Sequence, residues 1–223
     1  MEKQNEKEGV NIEDVISKSE LFLEKNKTLL IIAVVAVLVI IFGFFGLKKF
    51  YFQPRQERAN AAVFAAEQWF AQGDFQKALD GDDRFEGFVS VADRYGKTKA
   101  GQRAKYCAGM CYLQLGDFNK AVNYLNSYKG SDVLTPIFAE IAAGDAALEL
   151  GDNAAALRHY EVAAKMDEND ITTPYALMKA GCAYLVDNNG AKAKTCFEQI
   201  KEKYPYSTEY RDADQYIALA GNL

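Results

Sequence analysis

The sequence predicts an all-α protein, a solenoid of helical hairpins preceded by a single transmembrane helix. Three observations carry this expectation. Twenty consecutive residues near the N-terminus hold no charge, an 18-residue stretch recurs three times, and each recurrence places turn-forming residues at the same internal position.

The uncharged run, Thr28 to Leu47, reads TLLIIAVVAVLVIIFGFFGL. At about 1.5 Å per residue a helix of this length covers roughly 30 Å, the hydrocarbon thickness of a bilayer. A buried core helix of that length normally keeps a polar face, and this run has none. A cleaved signal peptide has a shorter apolar stretch and a small-residue cleavage site. Here a polar tail of 27 residues comes first and the run continues into Lys48 and Lys49, as in an uncleaved anchor. The expected division is therefore a tail over 1–27, a span over 28–47 and a solenoid over 48–223. In the tail, Ile12, Val15, Ile16, Ser19 and Leu23 fall near one helical face, which suits an amphipathic helix at the membrane surface. Orientation is not decided by charge, because basic residues flank both ends of the span in nearly equal number.

The recurring segments are AGMCYLQLGDFNKAVNYL from Ala108, AGDAALELGDNAAALRHY from Ala143 and AGCAYLVDNNGAKAKTCF from Ala180. Gly109, Gly144 and Gly181 are separated by 35 and 37 residues, and Ala121, Ala156 and Ala193 repeat those intervals. These positions resemble the tetratricopeptide pattern L-G-x2-Y…A-x3-F…P, whose period is near 34 residues. The physical logic is close packing of two antiparallel helices, with glycine on the first facing alanine on the second. Tyr112 and Tyr184, with Leu125, Tyr160 and Phe197, are expected to fill the space between neighbouring hairpins. Gly116-Asp117 and Gly151-Asp152 should end one helix and open the next. Thr135-Pro136 and Thr173-Pro174 read as N-cap threonine with proline at the first helical position. Trp69, Gly73-Asp74-Phe75 and Ala78 make a weaker earlier copy, and Tyr204-Pro205-Tyr206-Ser207 precedes a final capping helix reaching Ala220. Three to four repeats are expected in all.

A solenoid of paired helices lines its concave face with successive first helices. Three positions per repeat are expected there: Arg103, Tyr106 and Met110, then Phe138, Ile141 and Asp145, then Tyr175, Met178 and Cys182. Such a face is aromatic, aliphatic and methionine-containing. It lacks the lysine, arginine and asparagine set with which some tetratricopeptide co-chaperones grip a C-terminal carboxylate. A groove of this kind suits a hydrophobic or helical peptide, and the chain's own final helix is the competing occupant.

No motif for catalysis, phosphate binding or metal ligation is present, so neither an enzyme nor a cofactor, metal or small-molecule substrate is expected. Cys107, Cys111, Cys182 and Cys196 read as small buried hydrophobes. His159, the one histidine, reads as a packed or solvated helix residue. A net charge of −5 with scattered basic residues gives no footprint for nucleic acid.

The order of parts, together with the closing motif Phe197, Ile200, Tyr204, Pro205 and Ser207, resembles the bacterial YfgM-like family, ancillary subunits of the Sec translocon. That resemblance implies an inner-membrane anchor, a cytoplasmic N-terminus and a periplasmic solenoid. It also implies contact with the translocon and with periplasmic chaperones that receive newly exported proteins. The alternative function is that of a structural adaptor in envelope assembly or cell-division coordination.

Overall fold

The computed structural model describes the backbone of residues 12–223 and the side chains of residues 24–223. Residues 1–11, and the side chains of Ile12, Val15, Ile16, Ser19 and Leu23, lie outside that description. The chain divides into two compact units, Met1–Pro54 and Arg55–Leu223.

The first unit contains one long helix, α1 (Ile12–Leu47), followed by a π-helical turn over Lys48–Phe52. Its side chains from Leu29 to Leu47 are largely exposed, including Phe42, Phe44 and Phe45. It is long and apolar enough to cross a membrane. Its uncharged part, residues 28–47, is what a bilayer solvates, because the backbone groups bond internally and the side chains match lipid tails.

The second unit is a helical solenoid. Its first hairpin pairs α2 (Gln53–Ala71) with the short α3 (Phe75–Asp80), and α4 (Phe88–Tyr95) is inserted after it. Three full hairpins follow: α5 (Lys99–Gln114) with α6 (Phe118–Ser127), α7 (Leu134–Glu149) with α8 (Asn153–Met166), and α9 (Thr172–Val186) with α10 (Gly190–Lys203). The capping helix α11 (Tyr210–Ala220) closes the stack.

All four hairpins turn in the same way. A residue with positive φ ends the first helix: Gly73 at +80°, Gly116 at +79°, Gly151 at +78° and Asn188 at +55°. The next residue, Asp74, Asp117, Asp152 or Asn189, donates its N–H to a carbonyl five residues back at 2.9 Å. Its side chain then accepts from the N–H three residues on, capping the second helix. A second device recurs in three of the four. Lys77 lies 4.7 Å from the Trp69 ring centroid, and Lys120 and Lys192 lie 5.1 Å from those of Tyr112 and Tyr184. Each lysine follows its aromatic by eight residues, so the cation of the second helix folds back over the first. The α7/α8 hairpin has Ala147 and Ala155 at those positions and lacks the contact.

The helix starts at α7 and α9 differ from expectation. Neither threonine is the cap. Asp132 Oδ2 accepts from the Thr135 N–H at 2.8 Å, and Asn169 Oδ1 accepts from the Thr172 N–H at 2.8 Å. Each acidic or amide side chain reaches three residues forward, so it captures the cap role upstream of the threonine. Thr173 is buried and its hydroxyl donates to the Asp167 carbonyl at 3.2 Å. Pro136 and Pro174 are therefore third helical residues, still within the turn whose N–H groups have no partner inside the helix.

Candidate partner-binding surface

The packing that supports the inner face is set at three glycines. A β-carbon on Gly109 would lie 2.6 Å from Leu125, on Gly144 2.5 Å from Tyr160, and on Gly181 2.4 Å from Phe197. The two helices of each hairpin thus meet through the bare glycine face. Ala121, Ala156 and Ala193 are fully buried. Tyr160 and Phe197 are fully buried too, Tyr184 nearly so, and Tyr112 is half-buried with its ring centroid 5.3 Å from that of Tyr124.

On the first helices, the expected inner residues divide by environment. Arg103 is exposed and pairs with Glu67 of α2 at 3.1 Å. Tyr106 is half-buried, its ring centroid 5.8 Å from that of Tyr128, and with Met110 it packs on the cluster holding Ala139, Ala142 and Ala143 of α7. Phe138 is exposed at 36%. Ile141, three residues later, is 3% exposed and belongs to the core with Leu157 and Leu177. Tyr175 and Met178 are half-buried against that same core. Cys182 packs on the same core as Tyr216 of the capping helix, so the chain's own last helix lies against this end of the face.

A polar cluster links the last two full hairpins. Asp145 Oδ1 accepts from the Tyr160 hydroxyl at 2.6 Å and pairs with Lys179 at 3.0 Å. Lys179 also sits 5.6 Å from the Tyr175 ring centroid. Burial works to lower the Lys179 pKa, but the Asp145 carboxylate outweighs it and the lysine is held above its ordinary value. Burial and the same carboxylate push the Tyr160 phenol up. Lys179 lies one helical turn after Tyr175, a spacing that hints at the cation–ring contact. Its pairing with Asp145, 34 residues away, has no local signal.

His159 and the cysteines have structural roles. His159 Nδ1 lies 2.7 Å from Glu140 Oε2. The four cysteines are free thiols. Burial pushes Cys107 and Cys111 up to about 12 and Cys196 up to about 11, far from the depressed values that mark reactive thiolates. Among the described residues no cluster of histidine, cysteine, aspartate and glutamate could hold a metal ion.

Residues 103–131 and 175–207 match the family model of the tetratricopeptide repeat. The chain carries tetratricopeptide repeats. The matched segments take in the α5/α6 and α9/α10 hairpins, and α7/α8 between them repeats their turn geometry and glycine packing. No curated protein matches the chain. Tetratricopeptide proteins are generally non-catalytic scaffolds for protein interaction, which is the role a stack of hairpins with an accessible inner face can perform.

Proposed function

We propose that this chain is a membrane-anchored interaction scaffold that assists proteins during or after export at the Sec translocon. The observation that carries the reading is a tetratricopeptide solenoid with Tyr106, Met110, Phe138, Tyr175 and Met178 open or half-open on its first helices, in a chain with one apolar helix long enough to span a bilayer. Exported chains expose apolar segments before they fold, and an apolar, methionine-containing face binds such segments without demanding one sequence. The topology that goes with this role is a cytoplasmic N-terminus with the solenoid on the periplasmic side of the inner membrane.

The experiment is photo-crosslinking from Phe138 and Arg103 in native membranes, each replaced in turn by a photoreactive residue, with mass spectrometry of the adducts. Translocon subunits, periplasmic chaperones or newly exported chains are the expected partners. Adducts confined to division or outer-membrane assembly proteins would overturn the export role and favour an adaptor.

A further inference from the structure

One end of the solenoid unit gathers positive charge in an otherwise acidic chain. Arg55 and Arg58, three residues apart on α2, share a side of that helix. The Arg55 guanidinium donates to the Arg94 carbonyl at the end of α4 and lies 5.5 Å from the Tyr95 ring centroid. Gln56 Oε1 accepts from the Lys99 N–H at 2.9 Å, at the first residue of α5. Gly101 holds that corner tightly, since a β-carbon there would fall 1.9 Å from the Tyr95 carbonyl oxygen. The turn that carries Lys97 and Lys99 is thereby pinned beside the start of α2.

The cations of this corner keep their charge available. Arg58, Lys97 and Lys99 are exposed. No ion pair found among the described residues involves any of them or Arg55. Arg94 is neutralised by Glu86 at 2.5 Å and does not count. Two acids lie nearby in sequence: Glu57, turned to the other side of α2 by helical spacing, and the exposed Asp93. Residues 55–58 and 93–99 present no exposed large apolar side chain, the feature on which the centre of a protein interface is built; the nearest in sequence, Tyr51 and Phe52, belong to the stretch that leads out of the apolar run.

Chain length limits how far this patch can be from the bilayer. Arg55 follows Leu47, the last residue of the apolar run, by eight residues, and eight residues reach at most about 29 Å even fully extended. Headgroups are thus always present at high effective concentration, so individually weak attractions suffice. We propose that Arg55, Arg58, Lys97 and Lys99 form a docking surface for the anionic phospholipid headgroups of the membrane in which the chain is anchored.

The test uses the full chain in nanodiscs, where both faces are open, made of phosphatidylcholine alone or with added phosphatidylglycerol. A water-soluble amine-acylating reagent reads lysine accessibility by mass spectrometry. Lys97 and Lys99 should react several-fold more slowly in the anionic discs, with protection lost at high salt, while Lys192 and Lys194 on α10 react equally in both. Equal rates for Lys97 and Lys99, or protection shared by all four lysines, would overturn the proposal. The R58E/K97E variant keeps Lys99 as reporter and should lose its protection with an unchanged circular dichroism spectrum; retained protection overturns the assignment. Protection that requires another membrane protein, whatever the lipid charge, assigns the patch to an acidic protein surface instead.

Discussion

Gly109, Gly144 and Gly181 hold one position in three hairpins, yet an added methyl group would meet different neighbours at each. At Gly109 it would press on Leu125, whose side chain can rotate, although the Leu125 backbone nitrogen at 3.2 Å limits the escape. At Gly144 and Gly181 it would strike the rings of Tyr160 and Phe197, both fully buried. Alanine in place of glycine inside a helix gains up to about 1 kcal/mol in helical preference, whereas overpacking a core costs about 1–3 kcal/mol. Gly109→Ala should therefore leave stability nearly unchanged, and Gly181→Ala should destabilise by about 1–2 kcal/mol. Thermal unfolding followed by circular dichroism gives the ordering directly, and a Gly181→Ala melting temperature at or above that of Gly109→Ala would refute it.

Within a hairpin, the tight turn does the work of two separate signals. A left-handed residue ends the first helix and an aspartate or asparagine caps the second, so a two-residue change in sequence governs both helices. The α9/α10 turn is the informative case, because asparagine occupies both places. Asn188 takes φ of +55°, a region asparagine enters more readily than most residues, and Asn189 accepts from the Lys192 N–H at 3.2 Å. Asn189→Ala removes that acceptor and should cost about 1 kcal/mol. Asn188→Gly should be neutral or slightly stabilising, since glycine adopts the same backbone without strain. Urea denaturation midpoints of the two variants should move apart, and equal midpoints would show that the cap contributes nothing.

Across the whole stack, tyrosine phenols tie hairpins and loops to carboxylates. Tyr160 donates to Asp145, Tyr184 to Glu161, Tyr204 to Glu168 at 3.0 Å and Tyr128 to Asp132 at 2.8 Å. Burial first, and the neighbouring carboxylate second, raises all four phenols, Tyr128 to about 12. A folded-state pKa above the unfolded value near 10 means the stabilisation is complete below about pH 10 and is lost as pH rises toward the folded value. Denaturation midpoints should begin to fall at about pH 8.5, where unfolded thiols ionise while Cys107, Cys111 and Cys196 stay protonated in the fold, and fall more steeply above about pH 10 as the phenols join, with tyrosinate absorbance rising alongside. Tyr160→Phe should shallow that fall, and an unchanged slope would exclude the Tyr160 link as a contributor.

The apolar run, the repeated hairpins and the three Gly-Asp turns were legible in the sequence, because each depends on signals within a few residues: an uncharged stretch, a glycine that tolerates positive φ, an aspartate beside it; the Asn188-Asn189 turn carries neither residue and gave no such signal. Thr135 and Thr173 mark the starts of α7 and α9 two residues too far along, since Asp132 and Asn169 compete for the same backbone donors as the threonines. Which first-helix residues remain open depends on how the hairpins stack. Phe138 and Ile141 are three apart, yet the neighbouring hairpin covers only the second, and Tyr216 of the capping helix packs with Cys182 on one core. The pairing of Asp145 with Lys179, and the gathering of Arg55 with Lys97 and Lys99, likewise join residues tens of positions apart. Spacing inside a hairpin encodes how its two helices meet, while the angle at which one hairpin stacks on the next is set by the summed shapes of many side chains.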